Sequence, residues 1–295
     1  MWKQGLRLAT IWKDGWEMAA VVVPGGAVPV IEIHDRFGSG WPADLLSLLE
    51  SGRFYELWHF CERVMKDEVK KLSSRVVPFS KIEYGPLYRR AHKIWGIGLN
   101  YVEHADDLQE IAPSEEPASF MRPDTSIIGP GEEIRLPNQS ERVTGEAELG
   151  LVIGREARNI CEEEVLSVVA GVTTILDMTA EDILLKNPRY LTRAKSFDTF
   201  FSFGPQLVTL NEVGELGDLT VATVLNGEVR RKNVVSNMTF SPEFLVSFHS
   251  KVMTLLPGDV ISTGTPGAVE IQDGDVVSCY IDRFEPLSNP VRRQA

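Results

Sequence analysis

The run GEAELGLVIG, residues 145–154, and the later run VAGVTTILD, residues 169–177, set the reading of this chain. Both are short and mostly apolar, and the second is rich in β-branched residues, as strands are. On a strand, residues two apart share a face, so Glu146 and Glu148 stand side by side while Ala147, Leu149 and Leu151 point the other way. Neighbouring carboxylates repel and raise each other's pKa unless a cation neutralises them. A solvent-facing edge strand would tolerate the pair; a buried one would need the cation. Asp177, at the end of VAGVTTILD, is either the N-cap of a following helix or a third acid for the same cation. Three oxygen ligands with no His or Cys suit Mg²⁺, Mn²⁺ or Ca²⁺, not zinc or copper.

Outward from these runs, the region from about 89 to 295 reads as mostly short strands. IWGIGL, SIIG, GPQLVTL, LTVATVLNG, DVISTG and DVVSCYID are separated by turn pairs such as Asn226-Gly227, Pro257-Gly258 and Asp273-Gly274. Two helices are expected in that series, near Glu162–Val169 and Pro242–Thr254. Uneven strand spacing with few helices predicts a sandwich or rolled sheet, not a doubly wound fold. Residues 1–88 read differently. Residues 6–33 suggest a small meander, with LRLATIW and EMAAVVV joined by Asp14-Gly15, a hairpin turn signal. From Pro42 the apolar residues Leu45, Leu46, Leu49, Phe54, Leu57, Trp58 and Cys61 recur at helical spacing, with Gly52 between two helices. The expected division is a small α+β domain at 1–88 and a larger domain at 89–295.

Composition excludes several classes. A chain of 295 residues with 43% apolar and 24% charged residues has enough core material to fold. Its net charge of −12 opposes binding to a phosphate backbone, and the one basic cluster, Arg230, Arg231 and Lys232, reads as a solvated strand end. No apolar run is long enough for a membrane span. Lys13, Asp14 and Glu17 interrupt any signal-peptide core at the N-terminus, so a cytoplasmic location is expected. Cys61, Cys161 and Cys279 are far apart, form no CxxC, and read as buried thiols in a reducing compartment.

Four further segments carry possible chemistry. In GIGLNYVEHADDL, residues 96–108, Asn100 could cap a helix on which His104 and Asp107 share a face. An acid beside an imidazole suits general-base work on water, though such a pair is also a common surface contact. Lys195, followed by Phe197, Phe200, Phe201 and Phe203, could bring a cation to an apolar pocket or lie along a hydrophobic surface. STGTPG, residues 262–267, could offer N–H groups and the Thr265 hydroxyl to an anion, or be a simple turn. PASFMRP, residues 117–123, carries the planar, bidentate guanidinium of Arg122.

Taken in order, GLNYVEH, PASFMRP, GEAELGLVIG, GVTTILDMTAED, RAKSFDTF, GPQLVT, VLNGE, LLPGDVISTGTP and GDVV resemble the fumarylacetoacetate hydrolase family from about Ile94 to Pro290. The resemblance implies an α+β, predominantly β fold, a mixed β-sandwich roll preceded by the small N-terminal domain, usually paired as a homodimer. It also implies Mg²⁺ or Mn²⁺ held by Glu146, Glu148 and Asp177. His104 with Asp107 would be a water-activating dyad, and Lys195 would be catalytic. Arg122 and Thr265 match substrate-contacting positions. Where the family often carries an Arg and a Gln after the metal-binding Asp, this chain has Glu181 and Leu184. Arg189 or Arg193 would then have to bind a substrate carboxylate, or the substrate lacks one.

The activity this implies is metal-dependent hydrolysis of a C–C bond in a small acylpyruvate or diketo acid. Decarboxylation of a β-keto acid such as oxaloacetate and enol–keto isomerisation use the same electron sink and remain open. So does a non-catalytic, metal-binding regulatory role on the same scaffold.

Overall fold

The computed structural model describes residues 5–65, 72, 74–102 and 113–294. The N-terminal region opens with strands β1 (Arg7–Lys13), β2 (Trp16–Val23) and β3 (Gly26–Pro29). The β1–β2 turn uses Asp14 and Gly15, both at positive φ, as a two-residue hairpin loop requires. The expected meander stops earlier than residue 33. After Pro29 the chain turns helical over Val30–Phe37, because Val30 and Ile33 recur at helical spacing and both are buried. Helices Leu45–Glu50 and Arg53–Phe60 follow, separated by Gly52 in the left-handed conformation. Asp44 caps the first of them by accepting from the Ser47 N–H.

The remaining strands are β4 (Val77–Pro78), β5 (Ile94–Gly98), β6 (Ala118–Arg122), β7 (Ile127–Ile128) and β8 (Ile134–Leu136). Then come the long pair β9 (Val143–Ile153) and β10 (Val169–Ala180). Next are β11 (Phe201–Phe203), β12 (Gln206–Val208), β13 (Thr220–Leu225) and β14 (Glu228–Val234). The last four are β15 (Val260–Ser262), β16 (Val269–Ile271), β17 (Val276–Ile281) and β18 (Leu287–Arg293). The larger sheet runs β4-β3-β2-β1-β12-β10-β9-β15-β5-β6, with β7, β11 and β16 attached beside it. The smaller runs β14-β13-β17-β18-β8. The architecture is therefore strand-rich, mixed α+β.

Every residue of β9 and β10 is buried. One face of the pair, including Ala147, Leu149, Leu151, Leu176 and Met178, packs into the core shared with Val221, Val277 and Cys279 of the smaller sheet. The other face carries Val152 and Ile175 into a second core, where they meet Leu45, Leu48 and Phe54 of the N-terminal helices. The N-terminal strands join the larger sheet directly, because β1 pairs antiparallel with β12.

Three local expectations differ from the structure. β10 continues past Asp177 to Ala180, so Asp177 lies inside a strand and caps no helix. The helices near 162–169 and 242–254 are present, the first as a 3-10 turn leading into Val165–Val168, and the second over Pro242–Val252. Glu181–Lys186 and Leu191–Lys195 are also helical, too short to show periodicity. Cys161 is exposed, while Cys61 and Cys279 are buried, and all three are free thiols. Among the described residues, no helix is long and apolar enough to cross a membrane.

Candidate active site

The pairing of β9 with β10 builds the centre of the site. Asp177 is directly opposite Glu146, and Thr179 is opposite Thr144. Opposed residues of an antiparallel pair share a face, so Glu146, Glu148 and Asp177 project to the same side. All three are buried, with 6%, 1% and 0% of their surface exposed, in a central part of the sheet. The solvent-facing edge strand that would explain an isolated Glu pair is thereby excluded.

Each carboxylate has a distinct set of partners. Glu146 Oε1 accepts from the Thr144 hydroxyl at 3.1 Å and the Thr179 hydroxyl at 2.9 Å. Glu148 Oε2 accepts from the Ser262 hydroxyl at 2.5 Å and the Gly264 N–H at 2.8 Å. Lys195 Nζ donates to Glu146 Oε2 at 3.1 Å and Asp177 Oδ1 at 2.8 Å. The same ammonium lies 4.8 Å from the centre of the Phe120 ring. Arg122 donates to Asp177 Oδ1, to the Lys195 carbonyl and to the Met178 carbonyl, between the rings of Phe120 and Phe201.

The electrostatics follow from burial. Burial pushes the Glu148 carboxyl up to about 8, aided by the Asp177 and Glu146 charges and opposed by Lys195 and the Ser262 hydrogen bond. Burial by itself would lower the Lys195 ammonium, but Asp177 and Glu146 outweigh it and hold that pKa above its ordinary value. Three carboxylates facing two cations leave one negative charge in excess when all are ionised.

These residues fit a hard divalent cation. The donors are all oxygen, the cluster has charge left to neutralise, and Asp177 Oδ2 is buried with no hydrogen-bond partner. As placed, no three His, Cys, Asp or Glu side chains among the described residues form a finished ligand group. The Lys195 ammonium sits between two of the carboxylates and meets part of the same demand for positive charge.

A cavity of about 300 Å³ opens onto this cluster, lined by Glu146, Glu148, Lys195, Thr265 and the Phe120 ring. The helix that begins at Glu181 supplies another part of the wall, with Leu184 and Leu185. Glu181 is buried and forms an ion pair with Arg142 Nε at 2.5 Å. Burial raises its carboxyl pKa against the opposing Arg142 charge.

The sequence candidates fall into five groups. Glu146, Glu148, Asp177, Lys195 and Thr265 come together at or beside the cavity. Arg122 lies behind Asp177, side chain fully enclosed, and is absent from the cavity lining. Arg189 and Arg193 are exposed and also absent from it. His104 and Asp107 lie outside the described residues. The helix that Asn100 would cap also lies outside the described residues; among the described ones, the Asn100 side chain donates to the Phe240 and Thr263 carbonyls and accepts from the Phe240 N–H.

Sequence reasoning missed Ser262, Gly264, Phe120 and the threonine pair. Ser262 and Gly264 belong to the STGTPG run marked as an anion turn. The anion they hold is the protein's own Glu148 carboxylate.

Comparison with known proteins adds the family. The model for the fumarylacetoacetate (FAA) hydrolase C-terminal domain matches residues 93–292. The mitochondrial oxaloacetate tautomerase fahd2 of Xenopus laevis is 39% identical over 208 residues, covering 68% of this chain and 65% of that protein. The crystal structure of 5-carboxymethyl-2-hydroxymuconate delta-isomerase from Mycobacterium smegmatis is 37% identical, with a TM-score of 0.67 over 75% of this chain and 84% of the other. Maleylpyruvate hydrolase from Sphingobium sp. SYK-6, in complex with manganese(II) and pyruvate, is 24% identical, with a TM-score of 0.77 over 98% of this chain and all of the other. That last likeness shows the fold across nearly the whole chain.

Proposed function

The chain belongs to the fumarylacetoacetate hydrolase family, and on that premise we propose that it is a divalent-metal-dependent enzyme acting on the enol or enolate form of a small 2-oxo acid. The observation that supports this most is the set of three buried carboxylates on paired strands, with Lys195 among them, at the wall of a cavity. Enol–keto isomerisation is the reaction we place first, because the relatives named a tautomerase and an isomerase are 39% and 37% identical in sequence, against 24% for the hydrolase. Hydrolysis of a C–C bond in an acylpyruvate is the second reading; it demands an activated water as well.

In this proposal Glu146, Glu148 and Asp177 hold Mg²⁺ or Mn²⁺. Bound there, the ion would supply Lewis-acid stabilisation of negative charge on the oxo acid. Lys195 adds a fixed positive charge, held in place by Glu146 and Asp177, toward the oxygen on which charge develops. Thr265 orients the carboxylate of the substrate. The apolar wall excludes water, which strengthens each of these interactions. His104 with Asp107, a water-activating dyad by family resemblance, would in the isomerase reading serve as the base that moves the proton at the carbon beside the oxo group. The homodimer and the cytoplasmic location belong to the same proposal, and light scattering and cell fractionation test them.

The deciding experiment follows enol-to-keto conversion of oxaloacetate and of acylpyruvates with Mg²⁺, with Mn²⁺ and with chelator, for the parent and Glu148→Ala. Metal-dependent conversion that disappears in the variant is expected. Incorporation of label from isotopic water into a cleaved product would favour hydrolysis, and release of CO₂ would favour decarboxylation. Tight metal binding without turnover on any oxo acid would point to the non-catalytic role.

A further inference from the structure

The cavity wall contributed by the segment after β10 differs in chemistry from the carboxylate cluster. Leu184, Leu185, Pro188 and Leu191 line it, and Glu181 is the charged residue among them. Lys195 is the only Lys or Arg lining the cavity among the described residues, and two carboxylates already hold it. Arg142 is not in the wall; it pairs with Glu181 at 2.5 Å, has Glu270 at 3.7 Å, and leaves half its side chain in solvent. The undescribed stretch 103–112 reads EHADDLQEIA and contains no Lys or Arg. Arg122 is engaged behind Asp177 and is absent from the lining, and Arg231, also absent from it, has a stem that crosses Gly267 closely enough that a Cβ there would lie 2.6 Å from Arg231 Cδ.

An anionic group on the far arm of a ligand would therefore lose water and meet a carboxylate in place of a cation. Burial without a counter-charge and like-charge repulsion both oppose it. An alkyl arm would instead cover the leucines and Pro188, and release water. We propose that this wall selects 2-oxo acids whose arm beyond the oxo group is apolar, and that Glu181 is the residue that turns away a distal carboxylate. The inference rests on the proposed function for its orientation, with the oxo-acid head at the carboxylate cluster and the arm toward Glu181.

Binding tests it without relying on turnover. The full-length protein with Mg²⁺ is titrated calorimetrically with 2-oxoheptanoate and with 2-oxoadipate, which differ in an alkyl or carboxylate end. The parent should bind 2-oxoheptanoate roughly tenfold more tightly, Glu181→Gln should narrow the ratio to about threefold, and Glu181→Arg should reverse it. Melting curves of both variants establish that they fold, and the near-isosteric Gln variant keeps the test open if the Arg variant does not. Equal or tighter binding of 2-oxoadipate by the parent would overturn the proposal; loss of that preference in Arg231→Ala would assign the distal carboxylate to Arg231. A ratio unchanged in both Glu181 variants would overturn the role of Glu181. Alkyl preference with no turnover of any oxo acid would keep the selection and sink the isomerase reading. Turnover with neither ligand bound would do the reverse.

Discussion

Arg122 and Asp177 are fully enclosed, and the guanidinium also reaches the Lys195 and Met178 carbonyls. Removing one member of a buried ion pair leaves the other charge under-compensated, and Asp177 would keep only the Lys195 ammonium. Arg122→Ala should therefore cost about 3–5 kcal/mol in chemical denaturation. Arg122→Lys keeps the charge and loses the planar fork, so it should be milder in stability yet still displace Asp177. If Arg122 contacted substrate alone, the Ala variant would leave stability nearly unchanged. A second residue-scale expectation concerns pH. His249 is buried, with Nδ1 at 2.7 Å from the Leu245 carbonyl, and burial lowers its pKa below 6.5. The unfolded chain then binds a proton that the folded one refuses, so this residue withdraws stability as pH falls below 6.5. Urea midpoints of the parent should drop between about pH 6.5 and 5.5, and His249→Phe should lose that part of the drop.

At the scale of elements, the β9–β10 pair sets the face of the acids and the β15 turn sets their partners. Gly264 has φ +101°, and a Cβ there would approach Asn100 Cβ at 2.8 Å and the Ile97 carbonyl at 3.2 Å. Its N–H is also a donor to Glu148. Gly264→Ala should cost about 1–3 kcal/mol through backbone strain. It should also lower Mg²⁺ affinity measured by calorimetry. Ser241 offers a contrast, because it caps the helix Pro242–Val252 by accepting from the Phe244 N–H, with Pro242 at the first helical position. Ser241→Ala should cost about 1 kcal/mol and leave metal affinity alone. Much at this scale was legible beforehand. Glu146 and Glu148 share a face because side chains alternate along any strand. Asp14-Gly15 and Asn226-Gly227 turn as read, with both residues of each pair at positive φ. The helix at 30–37 was hidden because its eight residues follow three strands and begin with β-branched Val30 and Ile31.

For the whole molecule, the proposed division near residue 88 separates regions that share a sheet and a core. Thr209 accepts from the Leu6 N–H, the Thr209 N–H returns to the Leu6 carbonyl, and the Tyr88 hydroxyl donates to the Gly258 carbonyl. A fragment of residues 89–295 would uncover Val152, Ile175, Phe203 and Val260, which pack in the core that holds Leu45, Leu48 and Phe54. That fragment should bind a hydrophobic dye strongly and melt well below the full chain. A fragment as stable as the full chain would show that the N-terminal region contributes little to the core.

The sequence alone determined the strand-rich class, the hairpin turns, the shared face of Glu146 and Glu148 and the family, because these depend on alternation, turn chemistry and ordered motifs along the chain. The tertiary structure alone decided what surrounds the acids. Glu148 finds Ser262 and Gly264 more than a hundred residues away, and Asp177 finds Arg122 from the opposite direction along the chain. It also turned Arg122 inward and placed Glu181 in the cavity wall. Such partners are chosen by which strands become neighbours and in what register. That choice is settled by burying both faces of one long strand pair at once, and no local pattern encodes it.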